Sequence, residues 1–461
     1  MIYVVVGGGI AGVSCIKRLL DSLPASDKVF LISASKRVKR VTQWKKTGQY
    51  TEQFDVEEDE VNFDDRRFHF IQDKVLQWIP QDKELVLSNG KDTVKYDRLC
   101  IACGAHPSTP FPNDKILTIR DTESAEQLQR HLKGAKNIAV VGNGGIATEV
   151  VFELKGVNIT WVIRDEYASS VFFNPTIAEF FRDRLEKGRE HGSKNAGVLR
   201  RLRYAIDAPD VAGRDENIPG CALGPDWIST LSIDSDSKER CVRIIPNAEV
   251  EAVQDVENGL RLSLSNSESI DCELVIWATG VVPSTSLWKQ NCEELRLSSD
   301  GGIVVDDAMR TSVRDVYACG DVCTPEWSSP SVYWKQMRLW TQARQMGDFC
   351  ARSMMANGEI ETDFCFELFT HTTTFFGYKV VFLGDFKAER QPEGWYTIER
   401  VIENDHFVQC VMYNHRVVGA ILVGETNLEE TMENLILNKT DLERIEENFL
   451  DPQIDIEDYF D

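Results

Sequence analysis

The sequence predicts an α/β fold, in which two similarly built parallel-sheet domains are followed by a smaller α+β unit. Three observations predict it. Ile2-Tyr3-Val4-Val5-Val6 is an unbroken apolar strand that runs into Gly7-Gly8-Gly9-Ile10-Ala11-Gly12. Ile138-Ala139-Val140-Val141 runs in the same way into Gly142-Asn143-Gly144-Gly145-Ile146-Ala147. From about residue 363, short apolar runs such as Lys379-Val380-Val381-Phe382-Leu383-Gly384 suggest a small antiparallel sheet.

The bulk properties narrow the class. A chain of 461 residues suits two or three domains, and 42% hydrophobic residues can fill their cores. No apolar run approaches the roughly 18–20 residues of a membrane span, so no membrane partner is expected. The apolar start has no basic segment before it and no small-residue cleavage site, so it does not read as a secretory signal. Twelve scattered cysteines fit reduced thiols inside the cell. The net charge of −23 repels phosphate backbones, so direct nucleic-acid binding is not expected.

The first apolar strand suits burial on both faces of a parallel sheet. Gly7 permits the tight turn after it. Gly9 lets backbone approach a pyrophosphate, and Gly12 lets the next helix pack on the strand. That helix, about Ala11 to Leu20, aims its positive end at the phosphate, with Ile10 and Ala11 at its start. A second strand, Val29 to Ile32, follows at the spacing a dinucleotide site needs. An acid usually ends this strand to hold a ribose. Here stand Ser33-Ala34-Ser35, and the hydroxyls of Ser33 and Ser35 can bond a ribose more weakly.

The second unit has the pattern G-x-G-x-x-A. Its helix runs through Glu149, Val150 and Leu154, and its second strand, Ile159 to Ile163, ends in Arg164-Asp165. An arginine there meets a 2′-phosphate and an aspartate accepts from a free 2′-hydroxyl, so NADPH and NADH both stay open. Two complete units imply two bound dinucleotides.

Three further segments complete the pattern. They are Leu99-Cys100-Ile101-Ala102-Cys103-Gly104-Ala105-His106-Pro107, Val275-Ile276-Trp277-Ala278-Thr279-Gly280-Val281-Val282-Pro283, and Thr311 to Asp321, ending Val316-Tyr317-Ala318-Cys319-Gly320-Asp321. With both glycine loops in this order, residues 2–321 resemble the pyridine nucleotide–disulfide oxidoreductase superfamily. The resemblance implies that the first two segments cross between domains and that the third makes a second contact with the first nucleotide. The resemblance implies Rossmann-like domains for FAD (1–120 and 290–357) and NAD(P)H (121–289, with an insertion at about 180–243). It implies an interface-like domain over 358–461 that ends in an acidic tail.

The resemblance also implies roles for single residues. Asp321 accepts a hydrogen bond from the flavin ribityl chain. The first loop, Thr42, Val75, Cys103, Gly104 and Gly320 line the FAD site. The second loop, Glu149, Arg164, Thr279 and Gly280 line the NAD(P)H site. Lys39, Thr42 and Lys45 come near flavin N5, where a lysine helps the ring accept hydride. A helix over 333–354 brings its amino end, with Trp334 and Gln336, to the flavin; Trp340 reads equally well as core. Trp334, Gln336 and Lys39 are therefore the candidate catalytic residues. More narrowly, the second loop, Gly320 to Cys323, Trp334 to Gly347 and Leu450 to Asp461 resemble one animal branch of the superfamily. That likeness implies association with the tRNA ligase complex, which the branch protects from oxidative inactivation in nucleus and cytoplasm.

The disulfide of the superfamily's name is not expected. Its reductases carry C-x4-C on the helix after the first unit, whereas no cysteine lies between Cys15 and Cys100. Cys15 reads as core packing. Cys100 and Cys103, three apart near a strand end, face opposite ways. Cys319 and Cys323 bracket Asp321 and read as packing. His371 reads as a structural histidine, and no metal site is expected.

Two segments stand apart in charge. Residues 182–203 hold eight Lys or Arg against three acids, a solvated stretch or a contact for RNA or an acidic partner surface. The last 21 residues hold nine acids and one arginine, with Ile454, Tyr459 and Phe460 spaced among them, as in a docking peptide. Two functions remain in view: an NAD(P)H-dependent flavin oxidoreductase, and a nicotinamide-dependent binding protein that shields a partner with little turnover.

Overall fold

A computed structural model describes residues 1–88, 90–120, 122–187, 241–402 and 405–451. The basic stretch beyond Lys187, most of the expected insertion and the tail beyond Asp451 lie outside the described residues.

Three five-stranded sheets organise the chain. In the first, parallel strands run in the order Val316–Ala318, Arg98–Ile101, Ile2–Val6, Lys28–Ser33 and Phe68–Gln72. Helix Ile10–Ser22 covers one face and packs on helix Trp340–Met355. The second sheet repeats the plan, with Ile116–Leu117, Leu274–Trp277, Asn137–Val141, Asn158–Val162 and Cys241–Ile245 all parallel. Strands of near-continuous Val, Ile and Leu are what a sheet buried on both faces requires. Val4, Val5, Ala139 and Val140 are fully buried.

The two crossover segments meet each other. Ala105–Pro107 pairs antiparallel with Val281–Pro283, His106 opposite Val282. The chain thus leaves and re-enters the first domain through one short two-stranded joint.

The third sheet is antiparallel, ordered Thr370–Phe375, Tyr378–Gly384, Arg416–Val423, His406–Tyr413 and Tyr396–Ile402. Helix Glu429–Asn438 packs on it and ties it to the first domain. The fully buried Glu433 accepts from Tyr50 N at 2.7 Å, Thr51 N at 3.0 Å and Thr51 Oγ1 at 2.7 Å. These residues form the tip of the hairpin Arg37–Lys46/Glu52–Glu60, which also carries Lys39 and Thr42. A buried carboxylate with three donors is a charge-assisted clamp. Glu433→Ala is therefore expected to lower the unfolding free energy by about 3 kcal/mol, read from denaturant midpoints. An unchanged midpoint would show that the clamp contributes nothing.

Candidate dinucleotide sites

Each glycine loop is built on backbone that a side chain would obstruct. Gly7 has φ +124°, and a Cβ there would overlap the Ala102 carbonyl oxygen. Gly142 has φ +125° and stands in the same relation to Ala278. In each case the crossover strand passes directly behind the loop. Gly9 and Gly144 are the N-caps of helices Ile10–Ser22 and Gly145–Glu153, and no side chain caps either helix. A Cβ at Gly9 or Gly144 would meet nothing within 4 Å. Open space over an uncapped helix start is a cradle for an anion.

The second loop opens on a cavity of about 580 Å³. Its walls include Gly142 to Ile146, Arg164, Asp165, Trp277 to Val281, Met337 to Thr341, His371 to Thr373, Phe172 and Phe375. Asn143 spends its side chain inside the protein: Nδ2 donates to Asp165 Oδ2 at 2.8 Å and Ser170 Oγ at 2.8 Å, and Oδ1 accepts from Ser169 N at 2.5 Å. The hydrogen bond from Asn143 Nδ2 is the main reason Asp165 lies below the usual carboxylate range. Arg164 is 77% exposed and only 4.0 Å from Glu249. Thr279 Oγ1 accepts from Trp277 Nε1 at 2.7 Å, beside Gly280 at φ +120°.

Comparison with known proteins agrees with this geometry. The family described as pyridine nucleotide-disulphide oxidoreductase matches residues 1–189 and 232–347. Pyridine nucleotide-disulfide oxidoreductase domain-containing protein 1 of Drosophila melanogaster is 39% identical over 100% of this chain and 99% of its own length. The Homo sapiens protein of that name is 38% identical, covering 100% and 98%. This chain belongs to the pyridine nucleotide-disulphide oxidoreductase family. Two solved structures share the fold at 17% identity. An engineered water-forming NADPH oxidase aligns with TM-score 0.66 over 96% of this chain and 92% of that one. An NAD-dependent persulfide reductase from A. fulgidus aligns with TM-score 0.68 over 96% and 78%.

As a family member the chain is an FAD-dependent oxidoreductase whose cofactors are FAD and NAD(P)H. The first site fits FAD. Asp321 makes no side-chain hydrogen bond among the described residues, and burial pushes its carboxyl up to about 6, against the pull of Arg338, Lys39 and Arg120. A half-buried acceptor without a donor suits a polyol chain. Thr42 Oγ1 and Gln345 Nε2 are buried without partners. Gly320 has φ +76°, where a Cβ would press on Ala11. Ser33 packs against Gly8, and Ser35 Oγ accepts from Arg37 N at 3.1 Å. Val75 sits half-buried on the core edge, and Gly104, at φ +66°, faces open space.

Other expectations change. The helix expected over 333–354 begins at Trp340. Arg338 takes φ +54°, and Met337 N donates to Gln342 Oε1 at 2.8 Å, so residues 334–339 form an irregular approach. Trp334 therefore packs on Trp327, ring centres 4.5 Å apart, and on Phe366, rather than in the cavity wall. Trp340 does line the cavity. Gln336 Nε2 donates to Cys323 O at 2.8 Å, which makes Gln336 a brace for the Asp321 turn. Lys39 Nζ donates to Arg120 O at 3.3 Å and lies 3.6 Å from Glu58. Glu149 is buried where its helix meets Thr374 to Gly377, outside the large cavity. Arg120, Arg338, His371 and Phe172 belong to the sites and were not among the expected residues.

The described cysteines are all free. Cys319 and Cys323 do not face each other: Cys319 Sγ is 3.4 Å from Cys100 Sγ, and Cys323 Sγ donates to Gly320 O at 3.3 Å. Cys103 Sγ accepts from Trp288 Nε1 at 3.2 Å. Cys15, Cys100 and Cys350 pack sulfur to sulfur in the core between the first sheet and its helices. Burial raises the thiols of Cys103, to about 11, and of Cys323. Such thiols are poor nucleophiles.

Proposed function

We propose that the chain oxidises NAD(P)H through FAD and delivers the electrons to an acceptor outside itself, with no redox-active disulfide. The placement of the cysteines carries this reading, since none stands on the first helix in the reductase pattern and those beside Asp321 point apart. The bound pair supplies hydride transfer from nicotinamide to flavin. The chain supplies position and electrostatics. The glycine loops and uncapped helix starts hold the two pyrophosphates, and Asp321 holds the ribityl chain. Helix Trp340–Met355, also without a side-chain cap, turns its positive end toward the cavity wall, where it favours added negative charge. Phe172, Phe375 and Trp277 give the cavity apolar wall.

The reading extends to a partner. The second loop, the stretch Trp334 to Gly347 and the tail resemble a branch that acts with the tRNA ligase complex, so the chain protects that complex from oxidative inactivation in cytoplasm and nucleus. Its acidic tail is the docking element. Contact with RNA by the chain itself is not part of the proposal, given the charge of −23.

Replacing Cys319 and Cys323 together with serine is expected to leave NADH-driven bleaching of the flavin intact, measured by stopped-flow absorbance. A variant that keeps its flavin yet loses bleaching would overturn the reading. Steady-state NADH oxidation beside capture of the ligase complex tests the partner. Nicotinamide-dependent capture with little turnover would turn the reading toward a shielding protein, and no capture would remove the partner.

A further inference from the structure

His371 sits on the first strand of the C-terminal sheet, beside the start of helix Trp340–Met355, and the established reaction assigns it nothing. Three of its relations are fixed. The ring stacks on Phe382 with 13° between planes and 6.2 Å between centres. Nδ1 is 3.1 Å from Thr341 Oγ1. The remaining edge, carrying Nε2, has no protein partner among the described residues, and His371 lines the 580 Å³ cavity. An imidazole edge left open on a cavity wall is a place for a polar ligand edge.

The inference includes a tautomer. A hydroxyl has one proton to give, and Thr341 Oγ1 lies within reach of two acceptors, Thr370 O at 3.3 Å and His371 Nδ1 at 3.1 Å. With that proton on Thr370 O, the contact with the imidazole is made by Nδ1–H. Burial also holds the ring neutral, its pKa pushed down to about 3. Nε2 is then a bare lone pair, an acceptor and never a donor at working pH.

We infer that His371 Nε2 accepts a hydrogen bond from an amide-type N–H on the edge of a heterocycle bound in the cavity, and so positions that ring. Two sources carry this chemistry: N3–H of the flavin pyrimidine and the carboxamide N–H of the nicotinamide. Both rest on the dinucleotide reading of the cavity. A carbonyl presented to Nε2 would face lone pair against lone pair, so the wall selects the donor end of either group.

The test begins with the tautomer. In holoprotein carrying ¹⁵N-histidine, His371 is expected to show a protonated Nδ1 and a bare Nε2, and Thr341→Val is expected to release that preference. A wild-type imidazole with its proton on Nε2 overturns the inference without any variant. Binding then separates the sources, using FAD methylated at N3 and a dinucleotide in which acetylpyridine replaces nicotinamide. Wild-type protein is expected to bind one of these analogues at least about fivefold more weakly than its parent. His371→Ala is expected to remove that discrimination, and His371→Gln, which keeps an acceptor, to retain it. Equal discrimination in wild type and His371→Ala for both analogues overturns the inference. ADP-ribose serves as control. Its failure to bind wild-type protein would sink the dinucleotide reading itself, whereas its binding with unchanged discrimination would sink only the role of His371.

Discussion

Replacing Gly7 with alanine is expected to give protein that purifies colourless, with FAD affinity lowered at least about 100-fold. Alanine at φ +124° is strained by about 1–3 kcal/mol, and its Cβ would overlap the Ala102 carbonyl. Relief requires moving the strand Arg98–Ile101 or the loop, and either opens the cradle over helix Ile10–Ser22. The matching change at Gly142, where φ is +125° and Ala278 stands behind, is expected to act on the other nucleotide. Gly142→Ala should purify yellow and fail to bleach with NADH. The ratio of visible to protein absorbance and its response to NADH check both. A yellow Gly7→Ala protein, or a Gly142→Ala protein that bleaches normally, would contradict the assignment of the loops.

Asp321→Asn is expected to weaken FAD binding by about 10- to 100-fold, the loss of one charge-assisted hydrogen bond from a ribityl hydroxyl. It should also change how the flavin-free protein responds to pH. Burial raises the folded pKa of Asp321 to about 6, well above the ordinary aspartate value of about 3.9. The folded state therefore holds its proton more tightly than the unfolded chain does. This group makes flavin-free protein gain stability as pH falls from about 6 toward about 4, and lose it as pH rises back through that window. In Asp321→Asn this part of the slope should vanish, leaving the flavin-free variant about 1–2 kcal/mol more stable than wild type at pH 7.5. Urea midpoints across that range give the comparison. A slope unchanged by the substitution would show that Asp321 is already charged and satisfied without flavin.

Both nucleotide units were legible because their logic is local. Apolar strand, glycine turn and helix follow one another within about 30 residues, and each glycine has a steric reason visible in the spacing. The crossovers were legible as segments, though not their pairing, since His106 and Val282 meet only after both domains form. What escaped was non-local. The run Trp334 to Leu339 reads as helix by composition, yet the Gln342 side chain captures Met337 N and the turn at Arg338 delays the helix to Trp340. His371 lies in Thr370-His371-Thr372-Thr373-Thr374-Phe375, which reads as a strand. Its place on the cavity depends on how the C-terminal sheet docks against Thr341. Arg120 reaches the flavin side from the connection between domains, and nothing in its neighbours marks it. Cys15, Cys100, Cys319 and Cys350 are far apart in sequence and become neighbours through sheet order and the packing of two helices.

The claim at the centre is that electrons move between two rings held by this chain with no sulfur relay. Anaerobic titration of the purified flavoprotein with NADH counts those electrons directly. One NADH per FAD should bleach the flavin completely, with no new thiols on quantitation. Uptake of a second NADH per flavin, accompanied by two new thiols, would contradict the account.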